Sequence, residues 1–466
     1  MIKHNLKFLV LAAISCFSLN AFSQSERDMA YYIKNAPFKV NISEPVFANK
    51  TFNIKDYGAV GDGQTLNTTA IDKAITACNA AGGGTVLIPP GLWLTGPIEL
   101  KSNVNLHTEW GTLVLFSSDH SLFALAGGRG KPQLYGEKLE NVGITGNGIF
   151  DGAGDTWRPL KKSKAAPTLW NDLTKSGGVL TKTGDMWYPT KEGLENDRLR
   201  PIEVSIASSK NVLIDGPTFK NSPNFAFNPK NINNLIIRNV KIENEYYAQN
   251  GDAIDLSSCK NAIVYHCTVH AGDDGICMKS SGTTEKGTAG LENIIIAENI
   301  VYHAHGGFVV GSNTDAGMNN IWVTNCNFVN TDIGIRIKSN KGRGGLVHNI
   351  FIDHIYMYDI LNEAILFSSY YEDKAPGAVN KVSDDKTPLF QDFHISDVYC
   401  NNAKTAISII GLPDAQANHL YFNNIKISAQ KAVYITEASD LDFKNVTIIS
   451  PDKTIYNITN SKNINH

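Results

Sequence analysis

Four short motifs place charged and titratable residues at matching positions of a repeated sequence phrase. They are Asn250-Gly251-Asp252, Gly272-Asp273-Asp274, His305-Gly306-Gly307 and Arg336-Ile337-Lys338. Three carboxylates held close together repel one another, which raises the pKa of at least one of them while the others stay ionised. That division suits glycosidic hydrolysis, in which a protonated carboxyl group donates to the leaving oxygen and another carboxylate activates water. The two cations are suited to pairing with the carboxylate of an acidic sugar.

Each of these residues also has a simpler explanation. Aspartate favours turns, so any single Asp of the group could be a turn residue. Clustered carboxylates are suitable calcium ligands, and His305 could be a structural histidine with its hydrogen bonds satisfied. The convergence of all these residues on one face favours the catalytic interpretation.

The elements that position the motifs form a repeat of strands. Its first phrase is a polar residue followed by alternating apolar ones, and from Asn211 to Asn349 its copies are 23 to 32 residues apart. A period of about 20–30 residues is typical of solenoids. The copies begin at Asn141, Asn211, Asn234, Asn261, Asn293, Asn320, Asn349, Asp392, His419 and Asp440.

A second phrase usually follows 14 residues later and begins with a small residue, as in residues 253–258, 275–280, 307–312 and 334–339. Its second and fourth residues are apolar, which is the alternation of a strand with one buried face. Parallel strands without crossover helices cannot form a βαβ sheet, but they can stack about 4.8 Å apart in a solenoid. We predict an all-β, right-handed parallel β-helix of about ten coils. A propeller would need four strands in about 40–45 residues per blade, and these repeats are shorter.

Two segments depart from the repeat. Residues 67–78 have a helical pattern with a capping-type start at Asn67, and predict a short helix that covers the first coil. Residues 155–200 are interpreted as a loop insertion within a single catalytic domain spanning residues 24–466. The insertion contains four large aromatic residues and a basic run, and is either a solvated loop or a wall of a substrate groove. Its notable residues are Trp157, Trp170, Trp187, Tyr188, Lys161, Lys162 and Lys164.

The start of the chain predicts export. Residues 1–23 combine Lys3 and Lys7 with an apolar stretch and small residues before Gln24, the pattern of a signal peptide. We therefore expect a periplasmic or extracellular protein, with a lipid anchor at Cys16 as the alternative. The formal charge of −3 and isoelectric point of about 6.5 argue against nucleic-acid binding. We expect a monomer, and no apolar run after residue 30 approaches the length of a membrane span.

Most of the six cysteines after the predicted signal are expected to be buried thiols. None of them forms a CxxC pair, so a zinc or redox site is not indicated. Cys267 and Cys326 have the same offset in the repeat, with one coil between them. Their separation should therefore be roughly 10 Å, which is too far for a disulfide.

With the four motifs in this order, the sequence resembles the polygalacturonase-type glycoside hydrolases of family 28 over nearly all of the mature chain. Residues 52–63, residues 141–154 and Asn221-Ser222-Pro223 add to the resemblance. It implies inverting hydrolysis of α-linked galacturonate bonds in pectin, without a cofactor or a metal. It also implies that Asp273 is the general acid, that Asp252 and Asp274 activate water, and that His305 supports the acid.

The resemblance further implies that Arg336 and Lys338 bind a galacturonate carboxylate and that Tyr370 or Tyr371 lies near the next sugar. The sequence departs from the family pattern in the groove lining: Gly251 replaces a usual Thr, Ala304 a usual Gly, and Asn224-Phe225 a usual Trp. Homogalacturonan, rhamnogalacturonan and decorated pectin therefore stay open as substrates, as do exo and endo attack. A calcium-dependent pectate lyase and a non-catalytic carbohydrate-binding β-helix are the alternative functions.

Overall fold

The computed structural model describes residues 27–124, 130–282, 284, 288–371 and 386–466. The predicted signal segment 1–23, with Cys16, lies outside the described residues. The chain winds into a parallel β-helix, as predicted, in which successive coils pair strand on strand along three sheets. Among the described residues, no helix combines the length and the apolarity needed to cross a membrane.

The strands of each sheet follow one another in chain order. The first sheet contains Thr51–Asn53, Gly84–Ile88, Val104–Thr108, Glu140–Gly146, Lys210–Asp215, Asn233–Arg238, Lys260–Tyr265, Leu291–Ala297, Ala438–Ile449 and Lys462–Asn465. The second contains Gly91–Thr95, Thr112–Phe116, Ile149–Asp151, Thr218–Lys220, Lys241–Glu243, Thr268–His270 and Ile300–Tyr302. The third contains Ile98–Glu99, Leu134–Glu137, Val204–Ala207, Ile254–Ser257, Asp274–Lys279, Gly306–Val310, Ile335–Lys338 and Tyr456–Thr459. Long bent strands bridge the sheets in the later coils: Met318–Val329, Leu346–Ser368, Leu389–Ile410 and Ala417–Thr436.

The stack is longer than the repeated phrases indicated. Thr51–Asn53, Gly84–Ile88 and Val104–Thr108 are stacked below the first copy that the sequence indicated. Asn103 opens the last of these strands in the same left-handed conformation and was overlooked as a copy, whereas the other two strands lack such a residue. In the third sheet, Ile254 pairs with Ile276 and Ile276 with Phe308, as the alignment of the second phrase predicted. The phrase therefore gave the register correctly, but it did not mark every coil.

The polar residue that opens each first phrase has a conformational reason. All ten of these residues adopt left-handed backbone, with φ between 52° and 67°. Asn and Asp tolerate this conformation better than other residues that carry a Cβ. The Asn side chains also form a ladder along the stack: Asn234 Nδ2 donates to Asn211 Oδ1 at 2.9 Å, and Asn320 Nδ2 to Asn293 Oδ1 at 2.9 Å. The turn and the ladder together explain the recurrence of Asn.

The predicted capping helix is present as Thr68–Ala80, with its apolar face buried against the first coils. The capping-type start is wrong, because the Asn67 side chain accepts no hydrogen bond from the first turn of the helix. Its amide instead donates to the Val60 and Thr65 carbonyls and so fixes the preceding loop.

An N-terminal strap was not predicted. The helix Met29–Asn35 and the extended residues up to Ile42 pack on the outer face of the first sheet, around the fully buried Tyr32. They cover outward-facing apolar residues of successive coils, namely Leu213, Ile236, Ile263, Ile295 and Trp322. Alternation was expected for the first phrase, but several copies, such as residues 235–237 and 294–296, are apolar at consecutive positions, as is typical of strands buried on both faces. The strap buries the outer face of these strands, while the core of the β-helix buries the inner face.

The insertion contains the helices Pro167–Ser176 and Lys191–Glu195 and a small antiparallel sheet of Leu160–Lys161, Met186–Tyr188 and Val179–Leu180. Short 3₁₀ turns, including Lys162–Lys164, join these elements. All six cysteines of the described residues are buried and free, so the prediction that Cys267 and Cys326 are not bridged is confirmed. Asn299 lies between them, as expected for the intervening coil: its Oδ1 accepts from the Cys267 N–H at 2.9 Å.

Candidate active site

The third sheet positions the predicted site residues at one edge of four successive coils. The Ala253 N–H donates to the Asp274 carbonyl at 3.0 Å, which sets the level of Asp252 beside that of Asp274. The His305 N–H donates to the Asp273 carbonyl at 2.8 Å, which places His305 of the next coil beside Asp273. The predicted neighbours are therefore neighbours in the structure. Carboxylate oxygens of Asp252, Asp273 and Asp274 lie within 4.8 Å of one another.

Asp274 is held by two cations. Its Oδ1 lies 3.2 Å from Arg336 Nη1 and its Oδ2 lies 2.7 Å from Lys338 Nζ. Burial alone would raise the pKa of Asp274, but Lys338 and Arg336 stabilise the carboxylate and lower its pKa to about 2. Asp274 is thus ionised across the working range of most enzymes.

Asp252 belongs to a second buried group that the sequence reasoning missed. Lys279 Nζ lies 3.2 Å from Asp252 Oδ2 and also donates to Asp255 Oδ2. Burial raises the pKa of Asp252 well above its usual value, and the Asp255 carboxylate adds to this rise. Asp255 and Lys279 occupy the third and fifth positions of the second phrase, the same positions that singled out Arg336 and Lys338. The signal was therefore present in the repeat.

Asp273 forms the third part of the site with His305. The Nδ1 atom of His305 lies 2.9 Å from Asp273 Oδ1. Burial would raise the pKa of Asp273, but the hydrogen bond from His305 outweighs it and lowers the pKa. Of the three carboxyl groups predicted from the sequence, Asp252 is therefore the one with a raised pKa in the protein alone, whereas the resemblance implies that Asp273 is the proton donor.

The insertion also contributes a side chain to the site. Lys164 Nζ lies 2.8 Å from His305 Nε2 and 2.9 Å from the Gly272 carbonyl oxygen. Lys162, from the same basic run, lies instead over the ring of Trp170. Only the groove-wall interpretation of the insertion accounts for the position of Lys164, although the sequence did not indicate which lysine of the run reaches the site.

The two tyrosine candidates differ in position. The ring of Tyr371 lies 4.7 Å from Lys338 Nζ and 5.7 Å from Arg336 Cζ, and the residue is 43% exposed. Tyr370 is buried, with 8% of its surface exposed. Tyr371 is therefore the tyrosine that can meet a ligand above the two cations.

The carboxylate cluster has the composition of a cation site, but the protein already supplies its counter-charges. Asp252 pairs with Lys279 and Asp274 pairs with Arg336 and Lys338. These fixed positive charges would repel a divalent cation that approached the same oxygens. The calcium interpretation of the cluster therefore does not fit its surroundings.

The fold and the site define a class: a parallel β-helix with three carboxylates and two cations clustered on one sheet edge, equipped for acid–base chemistry on an acidic sugar. The sequence model described as "Glycosyl hydrolases family 28" matches residues 168–431, more than half of the chain. The chain therefore belongs to glycosyl hydrolase family 28. A second model, "Rhamnogalacturonase A/epimerase, pectate lyase-like", matches residues 51–116.

Individual relatives agree with this assignment. The chain is 27% identical over 430 residues to an exo-poly-alpha-D-galacturonosidase of Dickeya chrysanthemi, covering 85% of this chain and 71% of the relative. It is 25% identical over 453 residues to an endo-polygalacturonase of Pectobacterium carotovorum subsp. carotovorum, covering 94% and 97%. Among solved structures, a hyperthermoactive exopolygalacturonase from Thermotoga maritima superposes with a TM-score of 0.69 at 26% identity, covering 89% of this chain and 94% of that one.

Proposed function

We propose that this family 28 chain hydrolyses α-linked galacturonate bonds in pectin. The observation that carries the proposal is the cluster of Asp252, Asp273 and Asp274, with Arg336 and Lys338 beside it. Carboxyl groups supply the acid and the base for glycosidic hydrolysis, and the cations suit an anionic sugar. The relatives that share most of the chain are named polygalacturonases, with both exo and endo forms among them.

In the proposed mechanism, Asp273 donates a proton to the leaving oxygen while Asp252 and Asp274 hold and deprotonate the attacking water. Asp274 is kept ionised by its two cations, which suits it to accept a hydrogen bond from water. Asp273 needs a proton before each turnover. Substrate excludes water and brings a negative carboxylate, and both effects raise the pKa of Asp273 toward that of a proton donor.

The stereochemical outcome needs its own measurement. Inverting glycosidases usually have their two carboxyl groups about 6.5–9.5 Å apart, whereas retaining enzymes have them about 5–5.5 Å apart. The oxygens here lie within 4.8 Å, closer than that inverting range. We propose inversion on the strength of the family resemblance and because the paired, strongly stabilised Asp274 carboxylate is a poor nucleophile. The anomer that first appears in the NMR spectrum of the products decides between the two outcomes.

The predicted signal segment supports export to the periplasm or the exterior, where pectin fragments would be met. Tyr371 is proposed to lie against the sugar next to the cleaved bond, because its exposed ring flanks the two cations. A pectate lyase is the alternative enzyme. Neither the family assignment nor the charge of the carboxylate cluster favours it.

The test is digestion of polygalacturonate and of rhamnogalacturonan in the presence of EDTA. New reducing ends without the ultraviolet absorbance of an unsaturated product are expected for a hydrolase. Unsaturated product, or activity lost with EDTA, would favour the lyase, and binding without cleavage of either polymer would favour a carbohydrate-binding role. An Asp273→Asn variant serves as the inactive control. The sizes of the first products distinguish exo from endo attack.

A further inference from the structure

We propose that Lys164, supplied by the insertion, is a positioning residue that holds the proton of His305 on Nδ1 and so directs the imidazole toward Asp273. This proposal deepens the proposed function and rests on it, because the role of His305 in turnover is part of that function. The insertion would then be a working part of the catalytic centre as well as a wall of the groove.

The hydrogen bonds around Lys164 carry the argument. An ammonium group donates hydrogen bonds and accepts none. Lys164 Nζ lies 2.9 Å from the Gly272 carbonyl, an acceptor, and 2.8 Å from His305 Nε2. Nε2 must therefore accept, and the single proton of a neutral imidazole is left on Nδ1. Nδ1 lies 2.9 Å from Asp273 Oδ1, so the proton is directed at that carboxylate.

The position of Lys164 follows from the structure of the insertion. Lys164 ends the 3₁₀ turn Lys162–Lys164, which directly follows the strand Leu160–Lys161. This strand pairs with Met186–Tyr188, so the small sheet of the insertion fixes the height of the turn above the site. Lys162, two residues earlier, is exposed and lies over Trp170. The two lysines lie in the same turn, but only Lys164 contacts His305, so Lys162 can serve as its control.

Removing Lys164 should change which ring nitrogen of His305 carries the proton. Its Nε2 also lies 3.6 Å from Asp332 Oδ2, and its Nδ1 faces Asp273. Each of these carboxylates favours a proton on the ring nitrogen that faces it, because a carboxylate oxygen accepts hydrogen bonds. Lys164 donates to Nε2 and so excludes a proton from that nitrogen. Without Lys164, a proton on Nε2 would direct the imidazole toward Asp332 and weaken its hydrogen bond to Asp273.

The experiment compares Lys164→Met with the matched control Lys162→Met in the full-length protein. Histidine-selective ¹⁵N labelling reports the tautomer of His305, with His305→Gln identifying its signals. We expect a ring that carries its proton on Nδ1 and not on Nε2 in the wild type and in Lys162→Met. In Lys164→Met we expect a proton on Nε2. Activity on galacturonate oligomers should fall about 10- to 100-fold in kcat, with KM little changed.

The outcomes separate the inference from the proposed function. An unchanged His305 spectrum in Lys164→Met would overturn the inference, as would a loss confined to KM, which would make Lys164 a substrate-binding residue instead. Because Lys164 acts through His305, the double variant Lys164→Met/His305→Gln should be no less active than His305→Gln alone. The spectrum is measured without substrate, so it still tests the inference if the protein cleaves no galacturonate.

Discussion

Asp274 and Lys338 form an ion pair in which both side chains are about 95% buried, with 2.7 Å between Oδ2 and Nζ. Arg336 completes the arrangement at 3.2 Å on the other oxygen. From the sequence, these two cations were expected to lie on an outward face and to pair with the carboxylate of the substrate. The structure shows that they already have an anion, and this changes what their substitution should do.

Replacing Arg336 by Ala should therefore cause two losses. Removal of a charged partner from Asp274 weakens turnover on any substrate, and loss of a carboxylate-binding group weakens it further on charged substrates. We expect kcat/KM on galacturonate oligomers to fall about 10- to 100-fold beyond the fall on methyl-esterified oligomers. Arg336→Lys should lose less, because it keeps the charge but not the bidentate geometry. Equal falls on both substrates would limit Arg336 to its contact with Asp274.

The buried Lys279 and Asp255 should affect the pH profile in opposite directions. Lys279 lowers the pKa of Asp252, whereas Asp255 raises it. Asp252 must be ionised to act as a base, so its pKa governs the acid limb of kcat/KM. Lys279→Met removes the lowering influence and should move this limb to higher pH. Asp255→Asn removes the raising influence and should move it to lower pH.

The same two variants test the assignment of roles. If Asp252 is the acid rather than the base, the shifts will appear on the basic limb instead, where the acid loses its proton. Breaking a buried ion pair by removing one partner typically costs about 3–5 kcal/mol of stability. The double variant Asp255→Asn/Lys279→Met leaves neither of these two charges and should recover part of that loss. Shifts in the same direction for both single variants would contradict the electrostatic account.

Asp273→Asn should lower turnover of polygalacturonate about 10²–10⁴-fold, because Asn cannot donate the proton that the leaving oxygen needs. The loss should be much smaller on a galacturonide with fluoride as leaving group, which departs without protonation. Asp252→Asn is the matched comparison, since Asp252 holds the raised pKa in the protein alone. Rescue by the activated substrate in Asp252→Asn, but not in Asp273→Asn, would exchange the two roles.

The sequence predicted the site because a solenoid converts equal offsets into spatial neighbours. Asp252, Asp273, Asp274 and His305 could be placed on adjacent coils by counting from the small residue of each phrase, and the strand register agrees. Periodicity says which residues share a face. It does not say which side chains pair across it, since this depends on rotamers and burial. The pairing of Arg336 and Lys338 with Asp274 was missed for that reason.

Features outside the period were beyond this reasoning. Lys164 is 141 residues from His305 in the sequence, and its position depends on a small sheet within the insertion rather than on the repeat. The N-terminal strap was missed in the same way, because residues 27–42 match neither phrase. The sequence did indicate that something must cover the first sheet, because the first phrase directs apolar residues such as Ile236 and Ile263 outward.

Glu203 should make stability depend on pH. The residue is fully buried, neither of its carboxylate oxygens has a hydrogen-bond partner, and burial raises its pKa well above the usual value. An acid with a raised pKa in the folded state costs no stability below its unfolded pKa, and the cost grows as pH rises toward the folded value. Glu203→Gln should therefore raise the unfolding midpoint more at pH 7 than at pH 4. The exposed Glu137→Gln is the control, and equal shifts at both pH values would exclude this explanation.

The N-terminal strap should stabilise the β-helix chiefly through Tyr32. Its ring packs against Tyr265 and Trp322, and its hydroxyl donates to Glu298 Oε1 at 2.6 Å. Removing a large buried ring typically costs about 3–5 kcal/mol, so Tyr32→Ala should lower the free energy of unfolding by that order. The neighbouring Tyr31 is 41% exposed, and Tyr31→Ala should cost much less. Denaturant titration of both variants measures the difference. Equal losses, or no loss in Tyr32→Ala, would mean that the outer face of the first sheet does not depend on the strap for its stability.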